Sequence, residues 1–533
     1  MTPQPRRILI VGGGTAGWLT AAWLAKALNL GPGSPLQITL LESPGISGVG
    51  VGEGAFPTFR STLQFLGIDE AAFIRATSAT LKQGIRFVDW GHGPDGGSVD
   101  QRHVFYHPFE APQAPDGLNL VPYWLLQDPA TRAPFAQAMT LQTRVMQAHR
   151  APKRAGEAAY TAPLNYAYHF DTFKLAGLLA ERARQLGVRH EEGTVCHVQL
   201  DERGAIAHID TDRQARFEAE LYIDCTGFRA ELIGRALGRP LTPVSDRLFV
   251  DRALACKLPL GREAVMESCT IATAHEAGWL WDIGLNGERG VGCVYSSRHL
   301  SDEQAGRILG AYCGASSGTG TGTGTGSAFD DITPRSIPFT PGYRTQPWVH
   351  NCVAVGLSAG FLDPLESTGL VLIEAAVAMI AEMLPHSGPM DAPARRFSQL
   401  MSQRYENILH FLKLHYALSR RPEPFWQDHR DPTSMPPRLA ELLDEWKTRP
   451  PGRFDFELDT ETFAWFNYQY ILYGMGYPTD LEAGRAHFPQ GAEAERQFAR
   501  IRRFAERAVA ELPGHRGWVE QVGGGGLGGG RTG

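Results

Sequence analysis

Several features that would indicate a metal site or a nucleic-acid partner are missing from this sequence of 533 residues. Its seven cysteines are scattered and form no C-x-x-C pair, so their spacing predicts neither a disulfide framework nor a zinc site, and we expect no metal. Lys and Arg number 51 against 57 Asp and Glu, a net charge of −6 without long runs of one sign. This balance argues against a basic phosphate-binding surface, and we expect no nucleic-acid partner.

Signals for export and for a membrane are also missing. The first residues pass directly into a short apolar run and glycines, without the small-residue cleavage site of a signal peptide. The most apolar stretch, at residues 370–384, falls short of the ~18 residues that span a bilayer. We therefore expect a cytoplasmic protein that does not associate with membranes and whose cysteines stay reduced.

The N-terminal segment has the pattern of a strand, a helix and a second strand. Arg7–Val11 is a short apolar run, Gly12–Gly17 a glycine turn, and Thr15–Leu28 a helix rich in Ala and Leu. A second apolar run, Ile38–Leu41, ends at Glu42. This order predicts an α/β fold with a Rossmann-type core.

The glycine turn has the G-x-G-x-x-G pattern of a dinucleotide site. Its glycines allow a pyrophosphate to approach the backbone, and the following helix N-terminus favours the negative charge. Glu42, at the end of the second strand, can accept hydrogen bonds from ribose hydroxyls. The predicted cofactor-binding residues of this segment are Gly12, Gly14, Thr15, Ala16, Gly17 and Glu42. The pattern alone does not separate NAD from FAD.

Two later segments favour FAD. Predicted strands at 197–200, 206–211 and 218–224 lead to Asp224 and a turn at Gly227, and a further apolar run leads to Gly356 and then Asp363. A chain that returns twice to one long cofactor fits FAD better than NAD. No second G-x-G-x-x-G offers a nicotinamide domain, so we expect either brief NAD(P)H binding or flavin that another protein has reduced.

Further motifs resemble those of flavin-dependent tryptophan halogenases. The segments are Gly278–Ile283 (GWLWDI), Asp363–Gly369 (DPLESTG), Leu81–Phe87 (LKQGIRF), Gly52–Gly54 and Tyr106–Phe109, and together they cover most of the chain before residue 394. The resemblance implies an enzyme that uses FADH2, O2 and chloride or bromide to make hypohalous acid and halogenates an electron-rich aromatic. It also implies a separate NAD(P)H-dependent flavin reductase as partner.

The same resemblance assigns roles to residues. Lys82 matches the catalytic lysine that directs the hypohalous acid, Glu366 matches the glutamate that faces it, and Glu53 lies in the flavin-covering loop. A lone lysine is usually solvated, so this assignment depends on the motif. The backbone N–H groups of Thr368 and Gly369, where a helix is expected to begin, are the predicted halide site.

Aromatic residues make up the rest of the predicted site. Trp279 and Trp281 match the wall that separates flavin from substrate, although an isolated W-x-W is as often ordinary core. His107 and Phe109 match the pair that sandwiches an indole ring. Trp465, in an aromatic-rich segment, is the third predicted substrate contact.

Some positions depart from the family pattern. Gly284 replaces the proline that ends the tryptophan motif, and Gly54 stands where alanine is expected. No segment matches the one that holds the amino and carboxylate groups of free tryptophan, so an indole or a larger indole-bearing molecule competes with tryptophan as substrate. An aromatic hydroxylase and a catalytically silent flavin-binding protein are the alternatives.

The predicted domain organisation has three parts. Residues 1–392 form the FAD-binding core with an interleaved β-sheet substrate region, which contains a flexible Gly/Thr loop at 316–327. Residues 393–522 form a mainly helical region that closes the pocket, because apolar residues from 397 to 412 lie on one helical stripe. Residues 523–533 are a glycine-rich, disordered tail. A homodimer is compatible with the sequence.

Overall fold

The computed structural model describes residues 6–31, 33–45, 52–92, 102–315, 333–385, 387–457 and 462–524. The predicted Gly/Thr loop at 316–327 lies outside the described residues. So does the predicted tail at 523–533, except for its first two residues.

The chain contains both strands and helices up to α9, and only helices follow α9 among the described residues. In chain order, the strands are β1 Arg6–Val11, β2 Leu36–Glu42, β3 Gly52–Gly54, β4 Thr80–Lys82, β5 Gly84–Val88, β6 Val104–Pro108, β7 Ala167–Asp171, β8 Arg189–Glu192, β9 Val195–Leu200, β10 Ile206–Thr211, β11 Arg216–Phe217, β12 Leu221–Asp224, β13 Thr242–Pro243, β14 Arg252–Pro259, β15 Thr270–His275, β16 Gly278–Gly284, β17 Glu288–Tyr295, β18 Arg335–Pro338, β19 Gly342–Tyr343, β20 Trp348–Val349, β21 Cys352–Ala354 and β22 Gly360–Phe361. The α-helices are α1 Thr15–Ala27, α2 Thr58–Leu66, α3 Glu70–Thr77, α4 Val121–Leu125, α5 Phe135–Met139, α6 Gln142–Gln147, α7 Thr172–Gln185, α8 Asp302–Ala315, α9 Gly369–Met383, α10 Asp391–Ala417, α11 Pro424–Arg430, α12 Pro437–Glu445, α13 Trp465–Gly474, α14 Gly491–Glu511 and α15 His515–Gly523.

The chain divides into two compact units, and each is built from three separate segments. Unit 1 comprises Met1–Ala79, Phe170–Ser245 and Phe339–Glu406. Unit 2 comprises Thr80–His169, Asp246–Pro338 and Asn407–Gly533. The predicted boundary between 1–392 and 393–522 stays a prediction.

Unit 1 contains a six-stranded sheet in the order β20-β21-β12-β1-β2-β8. β1 pairs in parallel with both β2 and β12, and only β20 runs antiparallel to its neighbour. The last four residues of β1 are buried, as expected for a central strand covered on both faces. The predicted βαβ start and the Rossmann-type core are confirmed.

One face of this sheet is covered by a continuous apolar cluster. Its buried members are Leu9, Val11, Leu41, Ile206, Ile209, Tyr222, Ala230, Leu232, Ile233, Cys352, Ala354 and Ala359. The predicted strand at 218–224 begins later than expected, at Leu221. Before it, the Ala219 N–H donates to the Tyr222 hydroxyl at 3.0 Å.

Unit 2 is built on a seven-stranded sheet in the order β18-β14-β17-β16-β15-β5-β6. Neighbouring strands are antiparallel except β5 and β15, which run in parallel. β4 lies outside this sheet and pairs antiparallel with β7, with Thr80 opposite His169 and Lys82 opposite Ala167. The residues at 80, 82, 167 and 169 therefore share one face of that pair.

Helices dominate the last third of the chain. The predicted helical stripe comprises Phe397, Leu400, Met401, Tyr405, Ile408 and Leu412. In α10 all of them are at most 2% exposed except Leu400, which is only partly buried. The helices α11 to α15 all belong to unit 2. Among the residues that the structure describes, no helix is long and apolar enough to cross a membrane.

Candidate active site

The glycine loop after β1 is shaped by contacts that leave no room for side chains at two positions. A Cβ on Gly12, whose φ is +117°, would lie 2.2 Å from the Cys225 carbonyl oxygen, and a Cβ on Gly17 would lie 1.8 Å from the Gly12 oxygen. Around Gly14, by contrast, nothing lies within 4 Å of such an atom. The loop is therefore tightly packed against the protein on one side and open at Gly14.

This opening has the chemistry that a pyrophosphate needs. Gly14 is the N-cap residue of α1 and has no side chain to cap the helix, so N–H groups of the first turn stay available to an anion. Thr15 and Ala16 form the first turn. We call the opening formed by Gly14 and the first turn of α1 the cradle. A side chain at position 14 would fill it, and its shape fits the diphosphate of FAD.

Glu42 lies directly beside the loop. A Cβ on Gly13 would come within 2.2 Å of Glu42 Oε1, and the other carboxylate oxygen is 3.0 Å from Nε2 of His190. His190 on β8 was not predicted. It holds Glu42 in place, and only the pairing of β2 with β8 brings the two residues together.

The later cofactor segments lie in the same unit. The Asp224 carboxylate is fully buried and accepts hydrogen bonds from Thr226 and from the N–H groups of Leu232 and Ile233, so it orders the turn that contains Gly227. A Cβ on Gly356 would lie 2.8 Å from the Cβ of Ala16, and this close approach joins the third segment to α1. Asp363 is 1% exposed and accepts from the Leu365 N–H at 2.9 Å. Direct contact of Asp224 and Asp363 with a cofactor stays a prediction.

The predicted halide site follows a strained turn. Glu366 and Ser367 have φ of +66° and +57°, and both are non-glycine residues in the left-handed region. Consecutive residues there cost energy and are concentrated at functional sites. α9 then begins at Gly369 with Thr368 as its N-cap residue, and no side chain caps the helix. Glu366 and Thr368 are both buried.

Glu53 lies beside this helix N-terminus. Its Oε1 atom is 3.1 Å from the place that a Cβ on Gly369 would occupy. The strand β3, which contains Glu53, and the start of α9 are therefore packed together in unit 1, and a glycine at 369 allows this approach.

In unit 2, Lys82 lies at the end of β4 and is 1% exposed. Its Nζ atom lies 5.5 Å from the centre of the Phe109 ring. Phe109 is held near it because its N–H donates to the Gln83 carbonyl at 3.0 Å. Gly84 makes this geometry possible, since a Cβ there would lie 2.3 Å from the His107 carbonyl oxygen. A lysine is seldom so deeply buried without a function or a partner.

His107 is fixed by a residue 360 positions later in the chain. Its Nε2 atom lies 2.8 Å from Oδ1 of Asn467, on the first turn of α13. Trp465 is the first residue of the same helix and is half-buried. The structure thus brings the N-terminal turn of α13 to His107. Asn467 was missed, although an amide within a run of aromatics was the available signal.

The two tryptophans lie on one face of β16. Their ring centres are 6.3 Å apart, and the Trp281 ring packs on Gly292 of β17, where a Cβ would lie 2.1 Å from a ring atom. Trp279 is 2% exposed, and its indole Nε1 has no hydrogen-bond partner among the residues that the structure describes.

The residue that departs from the tryptophan motif also has a defined environment. The Thr80 hydroxyl donates to the Gly284 carbonyl at 2.6 Å and so ties β4 to the end of β16. Because Lys82 follows Thr80 by two residues, this bond fixes the lysine strand relative to the tryptophan strand.

Two buried histidines flank Lys82. His169 shares its face of the β4–β7 pair, and His515 Nε2 accepts from the Leu81 N–H at 3.0 Å. Burial, and secondarily the charge of Lys82, lowers the pKa of His169 well below its usual range, and burial lowers the pKa of His515 to about 4. Both histidines are therefore neutral at pH 7.

The predicted residues fall into two sets. Unit 1 contains the predicted FAD and halide residues together with Glu366, and unit 2 contains Lys82, the aromatic substrate contacts and the tryptophan wall. The cradle in unit 1 and the acid that ends β2 define a dinucleotide-binding site of the Rossmann class.

Comparison with known proteins identifies the family. The tryptophan halogenase profile matches residues 7–490. Tryptophan 6-halogenase of Streptomyces toxytricini is 34% identical, over 96% of this chain and 97% of its own. The crystal structure of a tryptophan halogenase from Shewanella frigidimarina superposes with a TM-score of 0.90 at 37% identity and 98% coverage of both chains. A flavin-dependent halogenase from Brevundimonas gives 0.83 at 32% identity, over 98% of this chain and 99% of that one.

The chain therefore belongs to the tryptophan halogenase family and is a flavin-dependent halogenase. Membership implies FAD and a halide, an aromatic substrate and a separate flavin reductase. These comparisons do not favour the alternatives of a hydroxylase or a silent flavin-binding protein.

Proposed function

We propose that this protein uses reduced FAD, O2 and chloride or bromide to halogenate an indole or a tryptophan derivative. The observation that supports this most directly is the buried amine of Lys82, which lies 5.5 Å from the centre of the Phe109 ring. The reaction balances as one halide, one aromatic C–H, O2, FADH2 and a proton giving the aryl halide, FAD and two waters.

The cofactor would be held by the residues around the cradle. They are Gly12, Gly14, Thr15, Ala16, Gly17, Glu42, Glu53, Asp224, Gly227, Gly356 and Asp363. When bound, reduced FAD with O2 supplies the oxidising equivalents that turn a halide into hypohalous acid. The N–H groups of Thr368 and Gly369 would bind the halide at the positive end of α9.

The remaining residues direct the halogen. Lys82 would hold the hypohalous acid by hydrogen bonding or as a haloamine, and Glu366 would accept the proton that the ring loses. His107, Phe109 and Trp465 would stack the flat substrate. Trp279 and Trp281 would keep the substrate away from the flavin.

Further parts of the proposal concern the setting of the enzyme. The reductase would draw on NADH or NADPH. All seven cysteines are free thiols and six of them are buried, which supports a reducing cytoplasm as its location. The homodimer stays a prediction.

The test supplies the protein with a flavin reductase, FAD, NADH, oxygen and bromide, and offers indole and tryptophan separately. Mass spectrometry should show the paired isotope peaks of bromine in the product. Lys82→Met should abolish the brominated product while FAD binding and NADH consumption persist.

The matched control is Lys153→Met. Lys153 is also buried in unit 2, and its Nζ lies 5.7 Å from the centre of the Tyr166 ring, so both variants remove a buried amine beside an aromatic ring. The control should still brominate. Bromination by Lys82→Met at the wild-type rate would refute the role of Lys82, and a hydroxylated product would refute the halogenase function.

A further inference from the structure

Unit 1 contains a buried carboxyl group that the proposed chemistry does not use. Glu374 lies on α9, five residues after Gly369, and is 9% exposed. Glutamates are seldom buried unless they are paired, and each such group needs a structural or functional reason.

Both oxygens of Glu374 accept hydrogen bonds from one neighbouring helix. The Thr58 hydroxyl donates to Oε2 at 2.9 Å, and the Thr62 hydroxyl donates to Oε1. Thr58 and Thr62 lie one turn apart on the same side of α2. These hydrogen bonds therefore link α9 to α2 and fix the position of one helix along the axis of the other.

The two joined helices lie close in sequence to the predicted halide site. α2 is the next element after β3, the strand that contains Glu53, and α9 begins at Gly369. Glu53 Oε1 lies 3.1 Å from the Cβ position of Gly369. A change at the Glu374 contact would therefore alter how β3, which contains Glu53, packs on the N-terminus of α9.

The charge of Glu374 opposes an anion at that N-terminus. Five residues of helix correspond to about 7.5 Å along the axis, near enough for a buried charge to act. Burial raises the pKa of Glu374 to about 7, although the two threonine hydroxyls lower it. Its proton is thus gained or lost in the neutral range.

The Glu53 carboxylate lies beside the first residue of α9, and few other charged residues lie on the elements packed against this helix. α1 contributes Lys26, which is exposed on its last turn, and α2 contributes Arg60, whose Nε donates to the Pro57 carbonyl. The 3₁₀ turn Gly356–Ser358 has no charged residue, and Glu382 lies exposed at the far end of α9. Burial and the two hydroxyls, not these charges, determine the pKa of Glu374.

We propose that Glu374 is a positioning residue for the halide site at the start of α9, and that halide binds more tightly when Glu374 carries a proton. This inference depends on the proposed halide site. Protonation keeps the contacts with α2 while removing a negative charge from the helix that binds the anion. Halide affinity should therefore fall as pH rises through 7.

The experiment measures chloride binding to the FAD-loaded protein from the line width of the chloride NMR signal, between about pH 5.5 and pH 8.5. For the wild type, the chloride dissociation constant should rise about five- to tenfold across this range. Glu374→Gln keeps the shape of the side chain and has no charge, so its dissociation constant should stay near the low-pH wild-type value throughout.

Glu382→Gln is the matched control. It removes the same charge from the same helix, at an exposed position, and should keep the wild-type pH profile. FAD absorbance and circular dichroism show that each variant is folded and loaded. Glu374→Ala, which also loses the link to α2, should bind chloride more weakly than Glu374→Gln at every pH.

The outcomes separate the two proposals. If the wild type binds chloride with the same affinity at all pH values, or if Glu374→Gln keeps the wild-type profile, the role of Glu374 is refuted while the halide site stands. If the wild type binds no chloride at any pH, both are refuted.

Discussion

The glycines of the loop after β1 face very different surroundings. Gly17 lies against the Gly12 carbonyl, whereas Gly14 faces open space. A side chain at 17 would therefore disturb the folded protein itself. A side chain at 14 would disturb only what occupies that space.

We predict opposite effects for the two Gly-to-Ala substitutions. Gly17→Ala should destabilise the protein without FAD by about 2 kcal/mol or more, since the backbone must move to admit a methyl group. Gly14→Ala should leave that stability within about 0.5 kcal/mol but weaken FAD binding at least tenfold. Chemical denaturation and FAD titration measure the two effects. Unchanged FAD affinity in Gly14→Ala would contradict the assignment of the cradle.

Glu374 also makes stability depend on pH. The pKa of this carboxyl is about 7 in the folded protein against an ordinary 4.5, so the folded state binds more protons than the unfolded state between those values. Its contribution to the free energy of unfolding therefore falls as pH rises from 4.5 to 7 and stays low above that.

Glu374→Gln should remove this dependence. Relative to the wild type, its free energy of unfolding should increase by about 1–3 kcal/mol between pH 5 and pH 8, from 1.36 kcal/mol per pKa unit. Urea denaturation at each pH measures the difference. A constant difference between variant and wild type across that range would show that the carboxyl does not titrate there.

At the scale of elements, β16 and β17 determine where the tryptophan wall lies. Trp281 packs on Gly292 of the neighbouring strand. Because Gly292 has no side chain, the Trp281 ring can lie directly against the backbone of β17. At the end of β16, a Cβ on Gly284 would meet its nearest atom at 3.5 Å, an ordinary contact. The replacement of the motif proline therefore leaves room for a side chain.

Substitutions at these two glycines should differ sharply. Gly292→Ala must displace the Trp281 ring and should cost about 1–3 kcal/mol of stability. Gly284→Ala should be neutral or stabilise by up to about 1 kcal/mol, because it restricts the unfolded chain. Thermal unfolding and tryptophan fluorescence report both results. If Gly292→Ala left the fluorescence unchanged, the packing of Trp281 on β17 would be wrong.

The elements that the sequence predicted well are those whose signal is local. The predicted helix at 15–28 is α1, and the predicted strand at 206–211 is β10. The predicted strand at 218–224 begins only at Leu221, and the Ala219 N–H before it donates to the Tyr222 hydroxyl, a contact that apolar periodicity does not encode. The family motif identified Lys82, but the three-residue strand β4 that contains it was not predicted.

On the scale of the whole molecule, both compact units are discontinuous in sequence. Each unit is assembled from three segments that are separated in sequence by segments of the other unit. Neither unit is therefore encoded by one continuous stretch of sequence. The predicted FAD residues belong to unit 1 alone, which makes the location of FAD binding testable without catalysis.

Hydrogen exchange should locate the cofactor. FAD should slow amide exchange in the glycine loop, in α1 and around Glu42, and saturation at 100 times the dissociation constant should add about 2.7 kcal/mol of stability. FMN lacks the adenosine ribose that Glu42 is expected to bind, so it should not protect the end of β2. Equal protection of that strand by both flavins would contradict the role of Glu42.

The sequence by itself determined the features that depend on neighbouring residues. These are the glycine turn, the helix that follows it, the acid that ends β2 and the motifs of the family. Only the tertiary structure showed the hydrogen bonds between His190 and Glu42, between Asn467 and His107, and from two threonines to Glu374. The residues of these pairs lie 148 to 360 positions apart in the sequence. Such contacts depend on strand order, register and helix packing over the whole intervening chain, and no local pattern records them.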